Sequence, residues 1–247
     1  MNWSHTSRGK KLFLEDPVDD DLDLEEIARS LGFTCRYAGC VKVFYSTAEH
    51  SVLIAMHLLD TTGNPLIAMG GLLHDAHEAY TGDITWPMQS VIFGSDGSGE
   101  RAKERHDSVK NGLDEVIGRM CGIPHSMMKH PMVKEADLRI LLTERDALLD
   151  GDTGKWYPER VGMSPLPVKI HGYGPVQAGI LWLGTYNLLR NMMMIVKGSR
   201  IRAVSGPYIG SCGVVTMVSE GRRSVRVRLD TSPNEVEIMM HDITIVP

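Results

Sequence analysis

Residues 73–83 read Leu73-His74-Asp75-Ala76-His77-Glu78-Ala79-Tyr80-Thr81-Gly82-Asp83, which places imidazole and carboxylate side chains directly after an apolar segment. Asn64-Pro65 is a typical helix-starting pair and Gly82 a typical helix-ending residue, so the sequence predicts one helix of about 17 residues between them. Charged groups on a buried helix need partners, because an unpaired buried charge costs several kcal/mol. A bound cation is one such partner. A buried His–Asp hydrogen bond with Glu78 at the surface is the alternative.

A second helix is expected to bring another histidine to this cluster. Ser46-Thr47-Ala48-Glu49 has the pattern of a capping box and begins a helix that runs to about Leu59. The short connection Thr61-Thr62-Gly63 predicts that this helix packs antiparallel to the next one. The first turn of one helix then lies beside the last turn of the other. His50 is therefore expected to reach His74 and Asp75, which favours the metal interpretation.

Asp137 is a further candidate ligand. It lies among apolar residues of a helix predicted from Pro131 to Leu149. An aspartate in that position needs a partner, and the same cation would provide it. The alternative is a surface aspartate paired with Lys134 or Arg139.

The composition limits the function classes. The chain has 247 residues and a net charge of −5, with 43% hydrophobic and 23% charged residues. It contains no apolar run near the roughly 18 residues that a membrane span requires. Met1-Asn2-Trp3-Ser4-His5 does not have the pattern of a secretory signal, and four cysteines without CxxC spacing are typical of reduced thiols. We expect a cytoplasmic protein without membrane contact.

The chain divides into two predicted domains. Residues 1–196 have mainly helical patterns after a polar, loop-like segment of about twenty residues, whereas residues 197–247 alternate at period two and predict five short strands. The fold class is therefore mainly α: a helical bundle followed by a small C-terminal β-barrel. The glycine-rich segment 94–99 follows no strand and lacks a Gly-Lys-Ser/Thr, so it predicts a flexible loop and not a phosphate-binding loop.

In order and spacing, His50, His74-Asp75 and Asp137 resemble the H…HD…D pattern of the HD superfamily of metal-dependent phosphohydrolases, which are all-helical. The 5′-deoxynucleotidase branch is more similar still, through Ala48-Glu49-His50-Ser51 and through His74-Asp75-Ala76-x-Glu78-x-x-Thr81-Gly82-Asp83. The resemblance covers roughly residues 24–195. It implies that His50, His74, Asp75 and Asp137 bind the metal, and that Glu78 and Asp83 act on the water and the leaving group.

The same resemblance implies a substrate-binding pair. In that branch an Arg-Trp pair before the first histidine contacts the nucleotide phosphate and sugar. Here Arg36-Tyr37 stands fourteen residues before His50, with Tyr37 in place of the tryptophan.

The C-terminal domain resembles a different family. Residues 198–215 look like a KOW motif, found in small β-barrels of ribosomal and transcription proteins, which would imply RNA or protein contact. Residues 1–196 hold 19 basic and 26 acidic side chains, and residues 197–247 hold 7 and 5. With so small a positive charge, a packing or oligomerisation module is an equal alternative.

The implied ligand set has two imidazoles and two carboxylates, which suits Mn²⁺, Co²⁺, Ni²⁺, Fe²⁺ or Zn²⁺ better than Mg²⁺. The leading hypothesis is a metal-dependent nucleotide phosphohydrolase, a homo-oligomer that converts deoxynucleoside 5′-monophosphates to deoxynucleoside and phosphate. One alternative is a deoxynucleoside triphosphate triphosphohydrolase, acting for example on dATP. The other is a non-catalytic nucleotide- or RNA-binding protein.

Overall fold

The structure is a computed structural model that describes residues 3–94, 98–151, 154–219 and 224–246. Ser95 to Gly97, the centre of the predicted flexible loop, and Met1 and Asn2 of the N-terminal segment lie outside the described residues. The helices are α1 (Leu24–Phe33), α2 (Thr47–Thr62), α3 (Pro65–Leu73), α4 (Glu78–Thr81), α5 (Trp86–Phe93), α6 (Glu100–Cys121), α7 (Pro131–Leu148), α8 (Tyr157–Arg160) and α9 (Pro175–Met194). The strands are β1 (Trp3–His5), β2 (Lys11–Phe13), β3 (Arg200–Ala203), β4 (Cys212–Val218), β5 (Ser224–Leu229), β6 (Glu235–Met239) and β7 (Ile243–Ile245).

The helix starts follow local capping chemistry. Asp23 accepts a hydrogen bond from the backbone N–H of Glu26 at the start of α1, and Ser46 accepts one from Glu49 at the start of α2. The predicted capping box at α2 is only half formed. The Glu49 carboxylate accepts instead from the backbone N–H groups of residues 171–173. The Glu49 side chain therefore makes tertiary hydrogen bonds instead of the local capping hydrogen bond.

The helical core is centred on α9. Trp182 of this helix is fully buried, and its indole N–H donates to the carbonyl of Leu72 in α3 at 3.3 Å. Helices α1, α2 and α3 all pack against α9, while α7 packs against α2 and α3. Burying a large apolar side chain contributes roughly 1.5–3 kcal/mol. This core holds the α2–α3 pair and α7 in fixed positions.

The predicted long helix after Asn64 is interrupted. α3 ends at Leu73, and residues 74–77 form tightened turns in which Ala76 bonds to Leu73 and Glu78 to Asp75, three residues apart. A short α4 then leads to Gly82. The prediction of one unbroken helix was wrong. Asn64 and Gly82 indicate only where a helix can begin and end, whereas the contacts of the polar side chains between them interrupt it. The segment with the metal-ligand pattern is therefore a turn.

The C-terminal residues form an antiparallel five-stranded sheet in the order β6-β5-β4-β3-β7, with a bulge between Val215 and Met217. It has a separate apolar core, to which Met192 and Ile195 at the end of the helical part contribute. A mainly α fold with a small β part is thus confirmed. In the described residues β6 and β7 do not pair, so the sheet is not a closed barrel; β7 has only three residues, all aligned with β3.

The N-terminal segment also differs from its loop-like prediction, since β1 and β2 form a two-stranded antiparallel sheet. In the described residues we find no helix that combines the length and the apolar character needed to cross a membrane.

Candidate metal centre

Four side chains from three parts of the bundle meet at one point. His50 comes from the first turn of α2, His74 and Asp75 from the turn after α3, and Asp137 from the second turn of α7. The short connection between α2 and α3 places the start of one beside the end of the other, as antiparallel neighbours require.

The distances fit a common ion. His50 Nε2 lies 3.3 Å from His74 Nε2, 3.3 Å from Asp137 Oδ1 and 3.6 Å from Asp75 Oδ2. His74 Nε2 lies 3.1 Å from Asp75 Oδ2 and 3.7 Å from Asp137 Oδ1. Ligand atoms about 2.0–2.2 Å from one cation are separated from each other by about 3–3.5 Å. His50, His74 and Asp75 could therefore hold a metal ion, and Asp137 lies at a similar distance from both imidazoles.

The hydrogen bonds of the two imidazoles support the same conclusion. His74 Nδ1 donates to the carbonyl of Gly71 at 2.8 Å, and His50 Nδ1 donates to the Glu144 carboxylate at 2.6 Å. In a neutral imidazole the proton on Nδ1 leaves Nε2 with a lone pair. The Nε2 lone pairs of His50 and His74 then face each other at 3.3 Å. This arrangement is favourable only when a proton or a cation lies between them.

In the four candidate ligands, attraction between the imidazoles and the carboxylates offsets the cost of burying their charges. Burial opposes ionisation, but the neighbouring His74 imidazole holds the pKa of Asp75 well below its usual range, and contacts with His50 and His74 lower that of Asp137. Burial likewise opposes charge on His74, yet the Asp75 and Asp137 carboxylates raise its pKa well above the usual range. Two imidazole protons or one divalent cation would supply the same positive charge.

The alternative for Asp137 was a surface ion pair with Lys134 or Arg139, and among the described residues Asp137 pairs with neither. Arg139 pairs with Glu135 at 3.5 Å and donates to the carbonyls of Ser164 and Pro165. The buried His–Asp contact that was the alternative for the first segment occurs twice, between His74 Nε2 and Asp75 Oδ2 at 3.1 Å and between His77 Nδ1 and Asp114 Oδ1 at 3.0 Å. His77 therefore anchors the turn to α6.

Arg36 lies beside the candidate ligands. Its guanidinium is buried, with Nη1 at 3.6 Å from Asp75 Oδ2 and Nη2 at 3.5 Å from Glu144 Oε2. Its Nε has no hydrogen-bond partner in the described residues. A buried donor without a partner is costly, so this N–H is available to a ligand.

Tyr37 follows in a strained turn. Tyr37 and Ala38 have positive φ angles of 58° and 52°, which are uncommon outside glycine. The Tyr37 hydroxyl donates to Glu144 at 2.5 Å, and its ring lies 6.4 Å from that of Trp156. The predicted substrate-binding pair is thus adjacent to the ligand set.

The two candidate proton-transfer groups, Glu78 and Asp83, both interact electrostatically with Arg36 and Asp75. The Thr47 hydroxyl donates to Glu78 Oε2 at 3.0 Å, while burial and then the Asp75 charge raise the pKa of Glu78 well above its usual range. Burial also raises the pKa of Asp83, which Arg36 opposes and the Asp75 charge increases further. Both carboxyls therefore hold a proton more readily than an exposed carboxyl does, as proton-transfer groups often do.

Comparison with known proteins places the chain in a family. It is 34% identical over 163 residues to the uncharacterised protein YfdR of Escherichia coli (strain K12), in a match that covers 66% of this chain and 81% of that protein. This chain belongs to the YfdR family. An uncharacterised protein of Rhodobacter capsulatus is 36% identical over 96 residues, covering 36% of this chain and 48% of that protein. No family model matches the chain.

A search of solved structures gives a crystal structure of the MjSpt4:Spt5 complex, with 18% identity over 45% of this chain and 63% of that chain. The TM-score of 0.20 is too low to show a shared fold. Both relatives are uncharacterised proteins, so they assign no activity to this chain.

In this member of the YfdR family the sequence patterns missed Glu144, a residue of the site. It lies seven residues after Asp137 in α7 and therefore on the same face of that helix. That spacing was the available signal. Glu144 is fully buried and touches both His50 and Arg36.

Proposed function

We propose that this protein is a metal-dependent nucleotide phosphohydrolase that converts deoxynucleoside 5′-monophosphates to deoxynucleoside and phosphate. The proposal depends on one observation above all: two imidazole Nε2 atoms, whose Nδ1 atoms are both committed to other acceptors, converge with two carboxylates within 3.1–3.7 Å. The resemblance to the HD superfamily supplies the reaction class.

His50, His74, Asp75 and Asp137 would hold the ion. Their mixed nitrogen and oxygen donors suit Mn²⁺, Co²⁺, Ni²⁺, Fe²⁺ or Zn²⁺. Such an ion, when bound, supplies Lewis-acid polarisation of a phosphate oxygen and lowers the pKa of water. An ion held by these residues would still have room in its coordination shell for substrate and water.

Arg36 is the phosphate-binding group in this proposal. Its partnerless Nε–H is buried next to Asp75, so an incoming phosphate oxygen gains a charge-assisted hydrogen bond that the protein alone does not form. Arg36 also neutralises charge that develops on the phosphoryl oxygens. Tyr37, one residue further, would lie near the sugar.

Glu78 and Asp83 are the proton carriers. A carboxyl with a raised pKa donates a proton to a leaving alkoxide or receives one from water at neutral pH. Thr47 fixes the orientation of Glu78 by its hydrogen bond to Oε2.

The test is a turnover assay with purified protein, Mn²⁺ or Co²⁺, and a panel of deoxy- and ribonucleoside mono- and triphosphates. Nucleoside and orthophosphate from the monophosphates are expected, and the ratio of deoxy to ribo substrate turnover reports on Tyr37. Tripolyphosphate from the triphosphates would instead indicate a triphosphohydrolase. Absence of turnover would favour the nucleotide- or RNA-binding alternative.

The site assignment has its own control. Asp75→Asn is expected to lose bound metal and activity together, whereas Asp146→Asn, on the exposed side of α7, should keep both. Full metal content and activity in Asp75→Asn would show that the assigned site is wrong.

For the C-terminal sheet we propose a packing or oligomerisation role. Among the described arginines of the sheet, Arg200 pairs with Asp230, and Arg226 and Arg228 both lie near Glu235. These three side chains have carboxylate partners and are therefore less available to phosphates. Sedimentation of the whole protein should show an oligomer, and salt-sensitive binding of a single-stranded RNA would contradict this role.

A further inference from the structure

Glu144 is a buried carboxylate with an unusual number of donors around it. It is 0% exposed and accepts from four side chains, two at each oxygen. Oε1 receives His50 Nδ1–H at 2.6 Å and the Tyr45 hydroxyl at 2.9 Å. Oε2 receives the Tyr37 hydroxyl at 2.5 Å and Arg36 Nη2–H at 3.5 Å. Four donors surround its two oxygens, and Arg36 can only donate, so the carboxylate acts as an acceptor.

The Oε1 side fixes the tautomer of a candidate metal ligand. Because Glu144 Oε1 accepts from His50 Nδ1 at 2.6 Å, the imidazole holds its proton on Nδ1 and leaves Nε2 free to bind a cation. His50 has no exposed surface, so water cannot replace this contact.

The Oε2 side holds the substrate-binding turn. Positive φ angles at two non-glycine residues, Tyr37 and Ala38, are unfavourable, so the turn needs contacts that offset this strain. Arg36 and Tyr37 both bond to Oε2, which fixes the turn at the point where Arg36 Nε remains unpaired.

We propose that Glu144 is a positioning residue that orients His50 for the metal and Arg36 for the substrate phosphate at the same time. The orientation of Arg36 for a phosphate rests on the proposed function. The orientation of His50 for a metal rests only on the contacts described above. One carboxylate thus couples the ion-binding set to the phosphate-binding arginine, although it contacts neither ion nor substrate.

The substitution Glu144→Gln separates this role from simple stability. The amide oxygen is expected to face Arg36, which can only donate, and Tyr37. The amide NH₂ then faces His50 Nδ1 and the Tyr45 hydroxyl, both of which can accept. Every partner stays satisfied, so the fold is retained. His50, however, must move its proton to Nε2, which blocks the metal.

The experiment measures Co²⁺ and Mn²⁺ binding to metal-free whole protein by calorimetry, with circular dichroism to confirm the fold. Glu144→Gln should bind the ions about 10- to 100-fold more weakly than wild type. Glu135→Gln, an exposed glutamate of the same helix, should stay within about twofold. In ¹⁵N-labelled protein, the His50 proton should move from Nδ1 to Nε2 in Glu144→Gln only.

Metal affinity within about twofold of wild type in a folded Glu144→Gln would overturn the inference. If that variant does not fold, Tyr37→Phe serves as the second test: it removes one donor at Oε2 and should raise KM several-fold while metal affinity is unchanged. An unchanged KM would then count against the inference. A wild-type protein that binds metal but hydrolyses no nucleotide would refute the proposed function, while the metal affinities still decide the role of Glu144 at His50.

Discussion

Gly32 and Gly179 lie against each other where α1 crosses α9. A Cβ atom on Gly32 would come within 2.3 Å of the Pro175 carbonyl oxygen and 3.0 Å of the Gly179 nitrogen. A Cβ atom on Gly179 would lie 2.8 Å from the carbonyl oxygen of Ala28. The close approach of these two backbones sets the distance between the first and last helices of the bundle.

Substituting either glycine should therefore destabilise the fold. Gly32→Ala and Gly179→Ala are each expected to lower the free energy of unfolding by about 1–3 kcal/mol, because backbone atoms cannot move aside as a flexible side chain can. Urea denaturation followed by circular dichroism measures the effect.

Gly184 in the same helix is the matched control, since nothing lies within 4 Å of its Cβ position. Gly184→Ala should raise the free energy of unfolding by about 0.5–1 kcal/mol, because alanine restricts the unfolded chain. Equal effects of the three substitutions would contradict close packing as the cause.

Local signals were sufficient for the elements that bring His50 to His74. Asn64 caps α3 by accepting from the backbone N–H of Leu66 at 3.0 Å, and Gly63 takes the left-handed conformation that ends α2. These short-range features fix the antiparallel α2–α3 pair and with it the approach of the two imidazoles. The metal-binding role of the site remains a prediction.

Long-range contacts were beyond the sequence patterns. The four partners of Glu144 lie 94 to 108 residues earlier in the chain, so no local window contains them. The three-residue strands β1 and β2 are too short to show a period of two. The tightened turn after Leu73 likewise could not be predicted from local sequence, because its side chains bond to other helices.

Thr47 offers a test of Glu78. Thr47→Val removes the hydroxyl that donates to Glu78 Oε2 and keeps the side-chain shape. Without that donor the carboxyl is expected to lose its orientation, which should lower kcat about tenfold and leave metal affinity unchanged. Steady-state kinetics and calorimetry measure the two effects.

Thr47→Ser keeps the hydroxyl and is the matched control for this experiment. It should retain kcat within about threefold. If Thr47→Val were as active as Thr47→Ser, Glu78 would not need this hydrogen bond for its role.

Glu49 holds the segment that precedes α9. Its carboxylate accepts from the backbone N–H groups of His171 at 2.7 Å, Gly172 at 3.1 Å and Tyr173 at 2.9 Å. Glu49→Gln retains one acceptor oxygen, so at least one of these partly buried N–H groups loses its bond to a charged acceptor, at a cost of about 1–3 kcal/mol. Amide hydrogen exchange at residues 171–173 should become faster.

The exposed Glu115 of α6 is the control for that substitution. Glu115→Gln should leave the exchange rates at residues 171–173 unchanged. Equally slow exchange in Glu49→Gln and wild type would show that other contacts hold this segment.

Burial of Cys121 is expected to make the free energy of unfolding decrease as the pH rises in the alkaline range. This thiol at the end of α6 is 6% exposed, and burial raises its pKa to about 12. In the unfolded chain a cysteine ionises near pH 8.5, so its contribution to stability is fully present below that pH and is lost as the pH rises toward 12. At pH 10 the loss should reach about 2 kcal/mol, since each pH unit above the unfolded pKa costs about 1.4 kcal/mol.

Cys121→Ala removes this titration, so the decline in the free energy of unfolding between pH 8 and pH 10 should be about 2 kcal/mol smaller than in wild type. Burial also raises the pKa of the neighbouring Tyr186 to about 12, so part of the alkaline decline will persist in the variant. Cys40→Ala, at an exposed position, should follow the wild-type curve. Parallel curves for Cys121→Ala and wild type would mean that the thiol ionises as readily in the folded protein as in the unfolded chain, and that its burial has no part in the pH dependence.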